Sequence, residues 1–283
     1  MSLLFSGDSA VCRCVWYNVD MIAKECVENW VLNESEGNLM SKRTAVIPGA
    51  TRGIGRGLFH RLGKLGVNVA TVYHADETAA LRFQEEAKEL GIGYHIEKMD
   101  IRDFKGIELF IAKVHEKFGR MDYLVNNVGI DDCKPIFDES MEEWRMSQDI
   151  ILNAPFFMSK LVLQYMREQK FGRIVNMGAS SKDYYNGAAG LGPFGVHKAA
   201  LTVLTKTLAL EEIRNGITVN MVAPGSTKDA GVNPEGKRIP VSQIPIGRRV
   251  EIDEVVDAIM YFLSDNSNSV TGQFIGINGG LST

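Results

Sequence analysis

Thr44-Ala45-Val46-Ile47-Pro48-Gly49-Ala50-Thr51-Arg52-Gly53-Ile54-Gly55 decides the fold of this chain. Thr44 to Ile47 reads as a buried strand. The glycines mark a tight turn, and Gly53 to Leu65 has the apolar spacing of a helix. Without a Cβ the backbone can bend sharply and approach a pyrophosphate closely. The helix N-terminus behind the turn offers free N–H groups and the positive end of a dipole. The spacing is Gly-x3-Gly-x-Gly rather than Gly-x-Gly-x-x-Gly, so the strand–turn–helix context carries the reading.

The same alternation continues outward. Strands are predicted at 67–73, 92–99, 123–126, 173–177, 218–222 and 273–277. Helices are predicted near 77–90, 104–118, 142–169, 195–214 and 251–263. In the second helix Leu81, Ala87 and Leu90 are placed on the apolar side. Strands separated by helices of ten or more residues imply right-handed crossovers and a parallel sheet covered on both faces. The expected fold is a single-domain Rossmann-type doubly wound α/β sheet over residues 40–283. Residues 1–39 lack periodicity and end in the linker-like Asn33-Glu34-Ser35-Glu36-Gly37-Asn38. They read as an upstream extension outside the core, with a docking or targeting arm as the alternative.

Composition narrows the function classes. The chain has 283 residues, 23% of them charged, and a formal net charge of -4, which gives no reason to expect nucleic acid or a membrane surface as partner. No apolar run approaches the ~20 residues of a membrane helix, and no secretory signal pattern is present. The four cysteines, Cys12, Cys14, Cys26 and Cys133, have no zinc spacing, so no metal site is expected. Reduced thiols and a cytoplasmic location follow.

From Lys42 to Leu281 the chain resembles the short-chain dehydrogenase/reductase family, in particular members like 3-oxoacyl-[acyl-carrier-protein] reductase. The turn matches the family's Thr-Gly-x-x-x-Gly-x-Gly, with Pro48 in place of the threonine. Asn126-Asn127-Val128-Gly129, Asn220-Met221-Val222-Ala223-Pro224-Gly225, Ile246-Gly247-Arg248, and Thr271-Gly272-Gln273 with Asn278-Gly279-Gly280 match further segments in order. The resemblance implies a nicotinamide cofactor held by Gly49, Thr51, Arg52, Gly53, Ile54, Gly55, His74, Asp100, Ile101, Asn127, Lys198, Pro224, Gly225 and Thr227. Asp100 falls where the family's aspartate meets adenine. Tyr73 ends the second strand where an NAD binder carries an acid, and Arg52 precedes the second glycine of the turn. With His74 as a further donor, these favour NADP(H).

The implied catalytic positions depart from the family. In Phe194-Gly195-Val196-His197-Lys198 the lysine of Tyr-x-x-x-Lys is kept and the tyrosine is phenylalanine. Counted from Trp144, Ile151 takes the asparagine position, and Asn153 falls on another helix face. Counted from Gly172, Ala179 takes the serine position; counted back from Phe194, Ser181 does, with Ser180 beside it. Asp229 takes the position of a nicotinamide-contacting threonine, with Thr227 nearby. Tyr184 and Tyr185 are the candidate replacement proton donors, and His197 is turned away by its helical step. The candidate catalytic set is therefore Lys198, Ser180, Ser181 and Tyr185. The leading expectation is an NADP(H)-dependent reductase of a small molecule, acting on a conjugated C=C or activated carbonyl. A catalytically silent dinucleotide-binding partner or sensor is the alternative, and a non-redox enzyme using the cofactor as scaffold is a third reading. The resemblance also implies a homodimer or homotetramer through helices 142–169 and 195–214, where Phe157, Leu161, Val203 and Leu210 are candidate contacts.

Overall fold

A computed structural model describes residues 43–130, 133–179, 189–228 and 239–281. Its first half runs β1 (Thr44–Val46), α1 (Gly53–Gly63), β2 (Asn68–Tyr73), α2 (Glu77–Glu89), β3 (Tyr94–Lys98), α3 (Phe104–Phe118) and β4 (Tyr123–Asn126). The second half runs α4 (Met141–Gln148), α5 (Ala154–Gln169), β5 (Gly172–Met177), α6 (Gly192–Glu212), β6 (Ile217–Pro224), α7 (Ile252–Leu263) and β7 (Phe274–Ile277). All seven strands are parallel, in the order β3-β2-β1-β4-β5-β6-β7. The order reverses between β1 and β4, which is where a doubly wound sheet opens a crevice for ligand.

Alternate strand residues feed two cores. Ala45, Ile47, Val69 and Val175 join Leu58, Phe59 and Leu62 of α1 and Val256, Ile259 and Phe262 of α7. Val46, Ala70, Val72 and Ile174 join Ile107, Phe110 and Val114 of α3 and Met158, Val162 and Met166 of α5 on the other face. With both faces covered, the strands read as nearly continuous apolar runs rather than alternating ones.

Two expectations need correction. Leu81 is not on the apolar side of α2; it is 61% exposed, and Ala80, Phe83 and Ala87 face the core instead. Phe83 sets that face, because its ring packs on Phe59 at 4.4 Å between centroids. Residues 142–169 are not one regular helix either. A π turn over Asp149–Asn153 separates α4 from α5, and the Ala154 N–H bonds back to the Asp149 carbonyl. Pro155 gives the reason, since it has no N–H for the Ile151 carbonyl and its ring would press on that carbonyl in a regular helix.

The end of the sheet opposite the crevice, where β1, β4 and β5 begin, is held by charge pairs. Asp122 is fully buried and accepts from the Thr44 N–H at 2.9 Å and from the Arg120 guanidinium. Arg43 donates to the Tyr123 hydroxyl at 2.6 Å and to both oxygens of Asp265. Burial pushes the Tyr123 phenol up to about 12. The Phe171 ring lies 4.4 Å from the Arg43 guanidinium and 4.3 Å from that of Arg173. These contacts bind the first strand to the Asp265–Asn268 turn at the far end of the chain. Asp122→Ala leaves the Thr44 N–H and a partly buried guanidinium without their acceptor. A loss of about 2–4 kcal/mol in unfolding free energy is expected in urea denaturation, with Asp122→Asn losing less.

Candidate cofactor and reaction site

The turn after β1 is built by backbone contacts that only small residues permit. Gly49 has φ +76°, in the left-handed region. Its N–H donates to the Val72 carbonyl, and the Ala50 N–H donates to Thr71 Oγ1. A Cβ on Gly55 would lie 2.4 Å from the Gly49 carbonyl oxygen and 2.7 Å from Asn127 Nδ2. Asn127, just past β4, clasps the turn by donating to the Pro48 and Gly49 carbonyls at 3.2 and 3.3 Å. Pro48 therefore costs the turn a donor and keeps an acceptor in use.

Helix α1 begins at this turn and differs from α2 and α3. Those two are capped by the carboxylates of Asp76 and Asp103. At α1 the cap residue is Arg52, with no side-chain cap bond and no acid in the first turn. Its N-terminal positive potential is thus not neutralised from within the helix, which fits a pyrophosphate. Arg52 is exposed beside it, and Thr51 is buried.

Beyond β2 the residues expected to meet the adenosine are partly engaged with one another. Asp100 accepts from Arg102 through both carboxylate oxygens, and those hydrogen bonds hold its carboxyl down at about 2. His74 is 76% exposed in its side chain, and its Nε2 lies 3.8 Å from Asp100. Ile101 is buried below. Sequence reasoning missed a carboxylate here. The Tyr73 hydroxyl donates to Glu77 at 2.6 Å, and Lys98 donates to the other Glu77 oxygen at 2.6 Å. The i,i+4 spacing of Tyr73 and Glu77 across a helix start was the available signal; Lys98 comes from the neighbouring strand by register.

On the reaction side Lys198 is buried, at 5% exposed, and Nζ donates to the Met177 carbonyl at 2.6 Å. Burial lowers its ammonium to about 8. The Phe194 ring, one helical turn earlier, is centred 5.7 Å from Nζ. A Cβ on Gly129 would lie 3.7 Å from the same atom, so the segment after β4 borders the lysine. Ile151 is fully buried inside the π turn, and Asn153 donates to Asp149 at 2.7 Å. His197 is turned away, as its step on the helix requires: it is buried, with Nδ1 3.1 Å from Ser147 Oγ and its ring 4.7 Å from that of Trp144. Ala179 ends the described part of the loop after β5. Ser180, Ser181, Tyr184, Tyr185 and Asp229 lie outside the described residues. Past β6, the Gly225 N–H donates to the Ile277 carbonyl, and Thr227 Oγ1 donates to the Gly225 carbonyl.

A buried polar line holds these pieces in register. Asn126 Nδ2 donates to Asn176 Oδ1 at 2.7 Å, and Asn176 Nδ2 donates to Thr205 Oγ1 at 2.9 Å. Asn126 precedes Asn127 of the turn, Asn176 precedes Met177, and Thr205 shares α6 with Lys198. No motif spacing announces this line, because its members come from two strands and a helix.

The family described as enoyl-(acyl carrier protein) reductase matches residues 49–282. The chain is also similar to a 3-oxoacyl-[acyl-carrier-protein] reductase of Buchnera aphidicola, 33% identical over 244 residues, which are 85% of this chain and 98% of the relative. The chain belongs to the short-chain dehydrogenase/reductase family. It resembles other members over the same span. An acetoacetyl-CoA reductase of Shinella zoogloeoides is 34% identical over 243 residues, 84% of this chain and 98% of the relative. The crystal structure of a point variant of actinorhodin polyketide ketoreductase with NADPH superposes with a TM-score of 0.76 at 30% identity, covering 85% of this chain and 97% of that one. The relatives are reductases, and this short-chain dehydrogenase/reductase is an oxidoreductase. Nothing in them supports the silent reading.

The polar line can be broken without changing shape. Thr205→Val leaves an Asn176 N–H buried with no acceptor and should cost about 1–3 kcal/mol in thermal or urea unfolding. Thr207→Val on the exposed side of the same helix should change stability by less than about 0.5 kcal/mol.

Proposed function

We propose that this short-chain dehydrogenase/reductase is an NADP(H)-dependent reductase of a small conjugated or otherwise activated carbonyl compound, working with a rebuilt reaction centre. One observation carries the reading: an unneutralised phosphate-binding turn stands with a buried Lys198 that faces a phenyl ring where the family has a phenol. NADPH, when bound, supplies a hydride to the substrate.

In this reading Gly49, Thr51, Gly53, Ile54 and Gly55 hold the pyrophosphate on the α1 N-terminus. Arg52 and His74 take the 2′-phosphate, and Asp100 and Ile101 border the adenine. Asn127 and Lys198 hold the nicotinamide ribose, and Pro224, Gly225 and Thr227 position the amide. The relative crystallised with NADPH supports this cofactor choice. Glu77 weighs against a 2′-phosphate, but Lys98 and the Tyr73 hydroxyl already neutralise and hold its carboxylate.

The substrate class follows from what Phe194 cannot do. Loss of a positioned general acid costs a simple ketone reduction ~10²–10⁴ in rate. Reduction of a conjugated C=C places charge in a delocalised enolate, which needs less proton donation as it forms. Ser180, Ser181 or Tyr185 would contact the substrate oxygen. The exposed side of α6, with Leu210 81% exposed and Val203 beside it, supports a homodimer or homotetramer. Phe157 and Leu161 pack partly into the protein's own core. Among the described residues no helix is long and apolar enough to cross a membrane.

Fluorescence titration should show NADPH binding well ahead of NADH. Arg52→Ala should weaken NADPH by about tenfold or more, the scale of one charged phosphate contact, with little change for NADH. Oxidation of bound NADPH should follow addition of enones more than of simple ketones, and Phe194→Tyr should raise ketone reduction. Tight NADPH binding with no turnover of either class sinks the reading.

A further inference from the structure

The reading above leaves the proton of the reaction without a source, and it is on that reading that the following inference rests. We propose that the Lys198 ammonium is itself the proton donor, acting on the substrate oxygen through one bridging water in the space that a phenolic hydroxyl at position 194 would fill.

Geometry carries this. The ammonium has three N–H groups: among the described residues one goes to the Met177 carbonyl, and with one given to the nicotinamide ribose a third is left for a bridging water. Phe194 lies four residues earlier on α6, on the same face as Lys198, with its ring 5.7 Å from Nζ. A phenyl ring neither gives nor takes a proton, and this one stands against a buried Nζ. A water standing beside that ring could accept from one N–H of the ammonium and donate to a substrate oxygen. The groups around Nζ on the other packed elements are the Met177 carbonyl of β5 and Gly129 after β4. The amides of Asn126 and Asn176 lie beneath and are uncharged. His197 faces Ser147 and Trp144 on α4. Among the described residues burial alone acts on Lys198, with no charged partner, and brings its ammonium to about 8. A donor of that strength is matched to neutral pH, whereas an ordinary lysine holds its proton too tightly.

The step balances. Reduction of the conjugated system leaves an electron pair on the substrate oxygen. The N–H bond of Lys198 breaks and an O–H bond forms at that oxygen, with the water passing one proton on as it receives another. Lys198 is left as a neutral amine and regains its proton from solvent, while the enol returns to the ketone.

Two measurements test this. In the protein without cofactor, ¹³C-lysine NMR should show one side chain, displaced in Phe194→Tyr, that titrates near 8 while the rest titrate near 10.4. With saturating NADPH and 2-cyclohexenone, kcat should hold to about pH 8 and then fall about tenfold per unit as the ammonium is lost, while the KM for NADPH changes less. The double variant Tyr184→Phe/Tyr185→Phe should keep that profile. A Lys198 midpoint in the ordinary range, a kcat flat from pH 7 to 10, or loss of turnover in the double tyrosine variant overturns the proposal and leaves the reductase reading standing. Failure to bind NADPH, or binding with no reduction of any enone, overturns both.

Discussion

The site depends on two amides hydrogen-bonded inside the sheet. Asn126 and Asn176 sit opposite each other in the β4–β5 register, and Thr205 completes the line from α6. Such groups cost several kcal/mol when buried without partners, so each tolerates little displacement of the others. The chain leaves this line at two places that matter. One residue after Asn126 comes the Asn127 clasp on the glycine turn, and one residue after Asn176 comes the carbonyl that fixes Lys198. Phosphate turn and lysine are held to one frame although they are about 150 residues apart in sequence, a separation only a parallel sheet of this kind closes.

The fold was legible because its signals are local. Apolar runs, glycines and helical periodicity each act within a few residues, and all agreed on alternating strands and helices. The failures have equally specific causes. Leu81 is apolar but sits away from the Phe83 face, and a large ring outweighs a leucine in deciding which side packs. The π turn was written in Pro155, whose effect falls on a carbonyl four residues earlier. The Asn126–Asn176–Thr205 line and the Arg43–Phe171–Arg173 stack join residues far apart in sequence, and no window could show them. At the site, the glycine turn was readable from its spacing between a strand and a helix, and Lys198 only through the resemblance to the family. The capture of Glu77 by Tyr73 and Lys98, and the burial that weakens the lysine's hold on its proton, follow only from three-dimensional packing.

In the proposed reading the reaction centre departs from the family by subtraction rather than rearrangement. Phe194 keeps the shape of a tyrosine without its hydroxyl, and Ile151 fills its position with a buried apolar side chain. The scaffold beneath is intact, as the seven-strand order and the caught turn show. In that reading, a surface that orients a dinucleotide while offering fewer proton-carrying groups is chemically selective. It disfavours substrates that need a strong acid and spares those that stabilise their own charge.

The π turn between α4 and α5 stores one surplus residue in a helix. One residue equals about 100° of helical rotation and 1.5 Å of rise. Deleting it, with Pro155 replaced as well, would let α5 continue as a regular helix on the sheet while turning Trp144 and Ser147 away from His197. The joint therefore works as a phase adjuster: α5 obeys the sheet, α4 obeys α6, and a single position sets the angle between them.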